Sequence, residues 1–218
     1  MLFRSKGKKE FTIEGALHNP GAVLRQEFVN ALNEAGISVK EERDEEIFSV
    51  AKVLTETSSP ALKDIIAVML KKSDNSYADC LMRQVGIRYL DKGSLEGGIE
   101  SYQHFWKGRG IPLSGWFQQD GSGLSRANGI TTQQLALITA KAKPTHRELI
   151  KDGLKPMADI PGLYVKSGYI NRVRAYTGFI EKEGKEYAFA IISNNHDCSA
   201  SAMRKKIEKL MTKVQAAL

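Results

Sequence analysis

The chain is poor in the residues that most often announce a chemistry. Its 218 residues include only 2 cysteines and 4 histidines. Cys80 and Cys198 are far apart in sequence and have no metal-ligand spacing, so buried free thiols are expected. His18, His104, His146 and His196 are scattered, with no pair at ligand spacing on one helix, and no metal site is expected. No apolar run approaches the roughly 18 residues of a membrane span, so no transmembrane segment is expected. The N-terminus, Met1-Leu2-Phe3-Arg4-Ser5-Lys6, lacks the apolar stretch of a secretory signal. The Gly-rich stretch around Gly121 and Gly123 is not followed by Lys-Ser or Lys-Thr, which excludes a phosphate-binding loop. Ser122 lies in Gly-Ser-Gly rather than in the Gly-x-Ser-x-Gly elbow of a hydrolase. No cofactor is implied. Internal repeats and low-complexity tracts are also missing.

What is present describes a folded domain. Hydrophobic residues make up 42% of the chain, enough for a real core. The net charge is +7 and the pI about 9.3. That balance suits an anionic partner or a solvated basic surface. The basic residues do not form a stripe interleaved with aromatics, so a nucleic-acid-binding module rests on charge alone and is the weakest reading.

Local signals place the elements. Asn19-Pro20 starts a helix whose apolar residues are Leu24, Phe28, Ala31 and Leu32, and Gly36 stops it. Residues 11–14 and 47–54 read as strands. Ser59-Pro60 is expected to cap a helix with Leu62, Ile65, Ile66 and Met69 on its apolar face. A turn at Ser73-Asp74-Asn75 leads into a further helix, expected to end at Gly86. Ser94 opens another helix, and Thr131 with Gln134 forms a capping box for the next. Trp106 and Trp116 are read as packing residues. The last third is strand-like over 162–167, 173–181 and 186–193, with a hairpin at Glu183-Gly184. Tyr187–Ile192 is apolar at every position and is expected to be a central strand covered on both faces. A final amphipathic helix carries Met203, Ile207, Leu210, Met211 and Val214. Helices first and a sheet with a closing helix last make an α/β (α+β) domain.

Five segments carry a specific resemblance. Ser73-Asp74-Asn75 stands between two helices, and Lys166-Ser167-Gly168 lies on a strand followed by a paired strand. Between them runs Asp120-Gly121-Ser122-Gly123-Leu124-Ser125-Arg126-Ala127-Asn128. After them come Val173-Arg174-Ala175-Tyr176-Thr177-Gly178-Phe179-Ile180 and Ala188-Phe189-Ala190-Ile191-Ile192-Ser193-Asn194-Asn195. Taken alone, a Ser-Asp-Asn tripeptide is an ordinary turn. In this order and context the segments resemble the class C penicillin-binding proteins, the D-alanyl-D-alanine carboxypeptidase/endopeptidases of peptidase family S13, over roughly residues 13–210. The resemblance implies a β-lactamase/transpeptidase-like fold, an antiparallel sheet with helices on both faces, here incomplete. Residues 1–218 would be the C-terminal part of that domain, with 1–58 the end of an inserted subdomain.

The resemblance also implies roles. Ser73 would relay a proton to the leaving group and Asn75 would hold the substrate backbone. Lys166 would place positive charge near the terminal carboxylate and steady Ser73. Ser167 would donate to the same carboxylate, and the strand after Gly168 would run alongside the substrate. The implied activity is a serine-type D-Ala-D-Ala carboxypeptidase/endopeptidase, acting on peptidoglycan peptides in the periplasm and binding β-lactams, with no cofactor.

The sequence departs from the family at several points. The third motif is Lys-Ser-Gly rather than Lys-Thr-Gly. Tyr169-Ile170 stands where a smaller pair is usual. The connection from Pro144 to Tyr164 is short. The family's nucleophile comes from Ser-x-x-Lys, and the two matches here are poor. Ser5–Lys8 lies in a polar basic terminus. Ser49–Lys52 lies in a strand-like run, where positions i and i+3 face opposite ways. The nucleophile is therefore unassigned. A missing N-terminal portion of the same enzyme is one implied partner, and a catalytically inactive fragment or paralogue that binds peptidoglycan peptides is the alternative reading.

Overall fold

Among the residues that the computed structural model describes (18–39, 56–142, 144–157 and 160–218), helices come first and an antiparallel sheet with a closing helix comes last. By its contacts the chain divides into two units, Met1–Thr57 and Ser58–Leu218.

In the first unit the described element is α1 (Pro20–Glu34). Asn19 caps it by accepting the Ala22 N–H at 3.0 Å, with Pro20 at the first helical position as expected. The chain leaves α1 through Gly36, whose φ of 76° a β-carbon would disfavour. No residue of α1 is buried. The strands expected over 11–14 and 47–54, and with them Ser5 and Ser49, lie outside the described residues.

The second unit opens with α2 (Leu62–Lys72), α3 (Asn75–Leu90) and α4 (Leu95–Lys107). The cap expected at Ser59-Pro60 does not form. The helix starts two residues later, after Ala61, with no side-chain cap. Gly86 does not end α3 either; the helix runs on to Leu90. A β-carbon at Gly86 would stand 2.7 Å from the Gly98 backbone nitrogen, so this glycine lets α3 and α4 touch. Ser94 caps α4 through the Gly97 N–H at 3.1 Å, as expected. Tyr102 sits edge-on to Trp106 and Trp116, with centroids 6.1 and 5.8 Å away, so both tryptophans pack against their neighbours. Burial pushes the Tyr102 hydroxyl above its ordinary pKa.

Helix α5 (Thr132–Ala140) begins with the expected capping box of Thr131 and Gln134. Gln134 is 1% exposed, and its amide also donates to the carbonyls of Pro112 and Ser114 at 2.6 and 2.9 Å. Two elements had no sequence-level expectation, α6 (Pro144–Gly153) and the two-residue β1 (Lys155–Pro156). From α6, Lys151 pairs with Glu181 and Glu186, and Arg147 reaches Glu186 at 3.1 Å. The two carboxylates hold the Lys151 ammonium well above its ordinary pKa.

Strands β2 (Leu163–Ile170), β3 (Val173–Lys182) and β4 (Lys185–Ser193) follow, and the sheet order is β1-β2-β3-β4, antiparallel throughout. The β3–β4 turn falls at Glu183-Gly184, both at positive φ, as the sequence indicates. Register separates the two faces. Leu163 opposes Ile180 and Ser167 opposes Tyr176, so Leu163, Val165, Tyr176 and Ile180 share one face. Against it packs α7 (Ala200–Ala217) through Ile207 and Met211, with Tyr187, Phe189 and Ile191 at the border of this core. The other face carries Lys166, Thr177 and Phe179. There α5 packs, and the Thr139 and Thr177 hydroxyls meet at 2.9 Å. Helices therefore cover both faces.

One expectation about this sheet is corrected. Among the described residues strand β4 has one strand neighbour, β3, and stands at the edge of the sheet rather than at its centre. Its unbroken apolar run reflects cover on two faces, by α7 and by α5, and needs no second strand neighbour. The cysteines are free, as expected, but Cys80 is exposed on α3 and Cys198 half-buried, so the expected burial fails for Cys80.

Candidate active site

The junction of α2 and α3 is built by competing local demands. Ser73 ends α2 with φ 56° and ψ 48°, a left-handed conformation that is uncommon for a residue with a β-carbon. Asp74 then turns the chain into α3 by accepting the Tyr77 N–H at 2.9 Å. The result is a sharp corner that presents Ser73 and Asn75 at the mouth of a cleft of about 500 Å³. Asp91 ends α3 in the same left-handed conformation, so this is a helix-ending device, which at Ser73 also serves the cleft.

The facing wall is β2. Lys166 and Gly168 lie on the sheet face away from α7, and Ser167 is exposed at the same cleft. The Lys166 Nζ donates to Ser73 Oγ at 2.8 Å and to the Ser167 carbonyl at 2.8 Å. The first of these bonds joins residues 93 apart in sequence. Burial lowers the Lys166 pKa from its ordinary 10.5, and the positive charge of Lys155 lowers it further. Strand β1 pairs only with Tyr164 and Val165, so among the described residues the β2 edge from Lys166 to Ile170 has no strand neighbour on that side. Behind Lys166, the Thr177 hydroxyl donates to the Phe189 carbonyl at 2.8 Å and ties β3 to β4.

A third wall is the loop Gly121–Leu124. Its shape is fixed from within by Asp120, whose two carboxylate oxygens accept the Gly123 N–H at 2.6 Å and the Ser125 N–H at 2.7 Å. Asn128 donates to Asp120 at 2.9 Å and accepts the Gln119 N–H at 2.7 Å. The Asp120–Asn128 segment is thus a self-bonded turn.

All five site residues expected from sequence, Ser73, Asn75, Lys166, Ser167 and Gly168, line this one cleft. Tyr169, where a smaller residue is usual, lines it too and is 54% exposed. Sequence reasoning missed Asp79, which bonds the loop to α3, and the threonine pair behind Lys166. Asp79 follows Asn75 by four residues and so lies on the same side of α3, a spacing that could have drawn attention to it. No group of three or more His, Cys, Asp or Glu side chains among the described residues could hold a metal ion. No helix among them is long and apolar enough to cross a membrane.

Comparison with known proteins bears on what this cleft is. The D-alanyl-D-alanine carboxypeptidase of Actinomadura sp. (strain R39) is 25% identical over 202 residues, covering 81% of this chain and 37% of that enzyme. The D-alanyl-D-alanine carboxypeptidase DacB of Haemophilus influenzae is 25% identical over 163 residues, covering 66% of this chain and 34% of that protein. The chain thus spans about a third of the length of these curated relatives. Among solved structures, penicillin binding protein 4 from Haemophilus influenzae, complexed with a β-lactam, superposes with a TM-score of 0.71 at 22% identity, over 85% of this chain and 47% of that one. This likeness establishes a shared mixed α/β fold. The sequence pattern of one family runs through nearly the whole chain, from residue 5 to residue 217, and on that ground the protein belongs to the D-Ala-D-Ala carboxypeptidase 3 (S13) family.

Proposed function

We propose that this chain forms the substrate-holding and proton-delivering side of a serine D-Ala-D-Ala carboxypeptidase/endopeptidase that acts on peptidoglycan peptides outside the cytoplasmic membrane. The observation that carries the reading is the bond from Lys166 Nζ to Ser73 Oγ. An ammonium that donates to a hydroxyl leaves that hydroxyl's own proton free to be given away. In the proposed reaction a serine attacks the penultimate D-Ala carbonyl, the peptide C–N bond breaks, and the serine's proton travels through Ser73 to the departing amine. Water then hydrolyses the acyl ester. Asn75 and the unpaired β2 edge after Lys166 hold the peptide as an added strand, while Lys166 and Ser167 face its terminal carboxylate. β-Lactams, which mimic that peptide, would occupy the same cleft.

The attacking serine is not among these groups. No Ser-x-x-Lys occurs among the described residues, and Ser5 and Ser49 head the two matches in the chain. The proposal assigns the nucleophile to a Ser-x-x-Lys helix contributed from beyond these 218 residues. Two measurements on the chain test it. Titration with an acyl-D-Ala-D-Ala peptide is expected to give saturable binding, and a fluorescent penicillin is expected to leave no covalent adduct. Absence of peptide binding would sink the functional reading. A stable adduct on Ser5 or Ser49 would place the nucleophile within the chain and overturn that assignment.

The depressed Lys166 pKa makes a prediction about pH. A lysine that loses its proton below 10.5 stops attracting the peptide carboxylate at a lower pH than a free lysine would. Peptide affinity should therefore decline as pH rises through the folded value, before 10.5 is reached. Stability should move the opposite way. The buried charge is unfavourable below the folded pKa, and that penalty is relieved as pH rises toward the unfolded value. Lys166→Arg keeps its charge across this range and should remove the decline. Peptide titration from pH 7 to 10 with both forms checks it; an identical decline in Lys166→Arg would assign the effect to another group.

A further inference from the structure

The Gly121–Leu124 loop is held by more than its own turn. A single oxygen of Asp79, Oδ1, accepts the backbone N–H of Gly121 at 2.8 Å and of Ser122 at 2.9 Å. Asp79 lies one helical turn after Asn75 on α3, and its two partners are 42 and 43 residues further along the chain. The contact is tight enough to exclude a side chain: a β-carbon on Gly121 would stand 2.6 Å from the Ala78 carbonyl and 2.9 Å from the Met82 β-carbon. Asp120 stiffens the loop internally: its carboxylate bonds Gly123, Ser125 and Asn128, and its carbonyl accepts from the Gln118 amide, all within the same segment. Those bonds would travel with the loop if it moved as a unit. The Asp79 carboxylate spans loop and helix instead.

Both sides of this joint face the cleft. Ser73, Asn75 and Ala78 line it from α2 and α3, and Gly121 to Leu124 line it from the loop. A carboxylate bonded to two consecutive backbone N–H groups fixes an orientation as well as a distance. We propose that Asp79 is a positioning residue of the cleft. It docks the Gly121–Leu124 wall onto the helix that presents Asn75, and so fixes the space in which a peptide lies opposite Lys166–Gly168. It touches no substrate and acts through the loop. This inference rests on the proposed peptide-binding role only for its functional consequence; the joint itself can be read without a ligand.

The test uses the whole chain and two substitutions. Asn keeps an oxygen that can accept both N–H groups, whereas Ala leaves them unpaired. In Asp79→Ala, amide hydrogen exchange at Gly121 and Ser122 should accelerate about tenfold or more, and acyl-D-Ala-D-Ala affinity should fall about tenfold, while Asp79→Asn should stay near the parent in both. Gly121→Ala, which meets the Ala78 carbonyl from the other side, should reproduce the Asp79→Ala result with the carboxylate intact. Unchanged exchange in Asp79→Ala would overturn the joint, whether or not any peptide binds. Faster exchange with unchanged peptide affinity would reduce Asp79 to a structural tie and overturn its positioning role. Equal losses in Asp79→Asn and Asp79→Ala would also overturn it, since charge rather than acceptor geometry would then be responsible. Loss of peptide binding in the parent chain itself would count against the functional reading, and the exchange result would still decide the joint.

Discussion

Replacing Lys166 with alanine should lower acyl-D-Ala-D-Ala affinity by about 10- to 100-fold, the loss expected when a hydrogen bond to a charged group worth about 1.5–3 kcal/mol is removed. Lys166 faces the proposed carboxylate position and also holds Ser73 through the 2.8 Å bond, so one substitution removes an attraction and an orientation together. The same change should not weaken the fold. Burial and the nearby Lys155 both disfavour the Lys166 charge, so near neutral pH the ammonium is a cost to the folded state. Loss of the two bonds to Ser73 and Ser167 offsets part of that relief, so the melting temperature of Lys166→Ala should stay close to that of the parent. Lower affinity with unchanged or higher stability is what a residue kept for function predicts. The opposite pair, a lower melting temperature with undiminished affinity, would make Lys166 a structural residue. Lys166→Arg separates charge from shape. It retains the charge but presents a planar fork where a compact ammonium bonds Ser73, so recovery should be incomplete.

The cleft was partly legible in the sequence, and the division follows the range of the interactions. Caps are local: Asn19 with Ala22, Ser94 with Gly97, and Thr131 with Gln134 each satisfy a donor three residues away, and each was placed correctly. The Glu183-Gly184 turn was legible for the same reason. Gly86 was misread because a glycine near a helix end usually stops it, whereas this one admits α4, an element the local rule cannot see. The apolar run in β4 was misread as a sign of two strand neighbours when two helical covers account for it. Free cysteines could be inferred from spacing, but the exposure of Cys80 depends on how α3 packs. The pairing of Ser73 with Lys166 crosses 93 residues and was visible only because ordered motifs resemble a family. Asp79 has the same long-range character and no motif to announce it, so only the fold discloses its partners.

Truncating Phe179 to alanine should cost about 3–5 kcal/mol of stability, the usual range for a buried phenylalanine. Its side chain is 1% exposed and lies on the sheet face that also carries Lys166 and Thr177. The Arg147 guanidinium lies 5.6 Å from its ring centroid, so the ring packs under α6 as well as within the sheet. A loss of that size should lower the melting temperature by roughly 6–20 °C for a unit of this length. The consequence should extend to the cleft. Phe179 stands two residues along β3 from Thr177, whose hydroxyl meets Thr139 of α5 and bonds the Phe189 carbonyl of β4. Thr177 in turn opposes Lys166 in the register. A cavity under α5 and α6 should loosen the sheet at the point where Lys166 is anchored. Thermal denaturation and peptide titration of Phe179→Ala check both parts. Phe179→Leu, which keeps most of the volume, should lose less than half as much stability and retain peptide affinity within about threefold. If Phe179→Ala melted with the parent, the ring would not be part of the core as described. If it melted early yet bound peptide unchanged, Lys166 would be held by β2 alone, and the threonine chain behind it would have no bearing on the cleft.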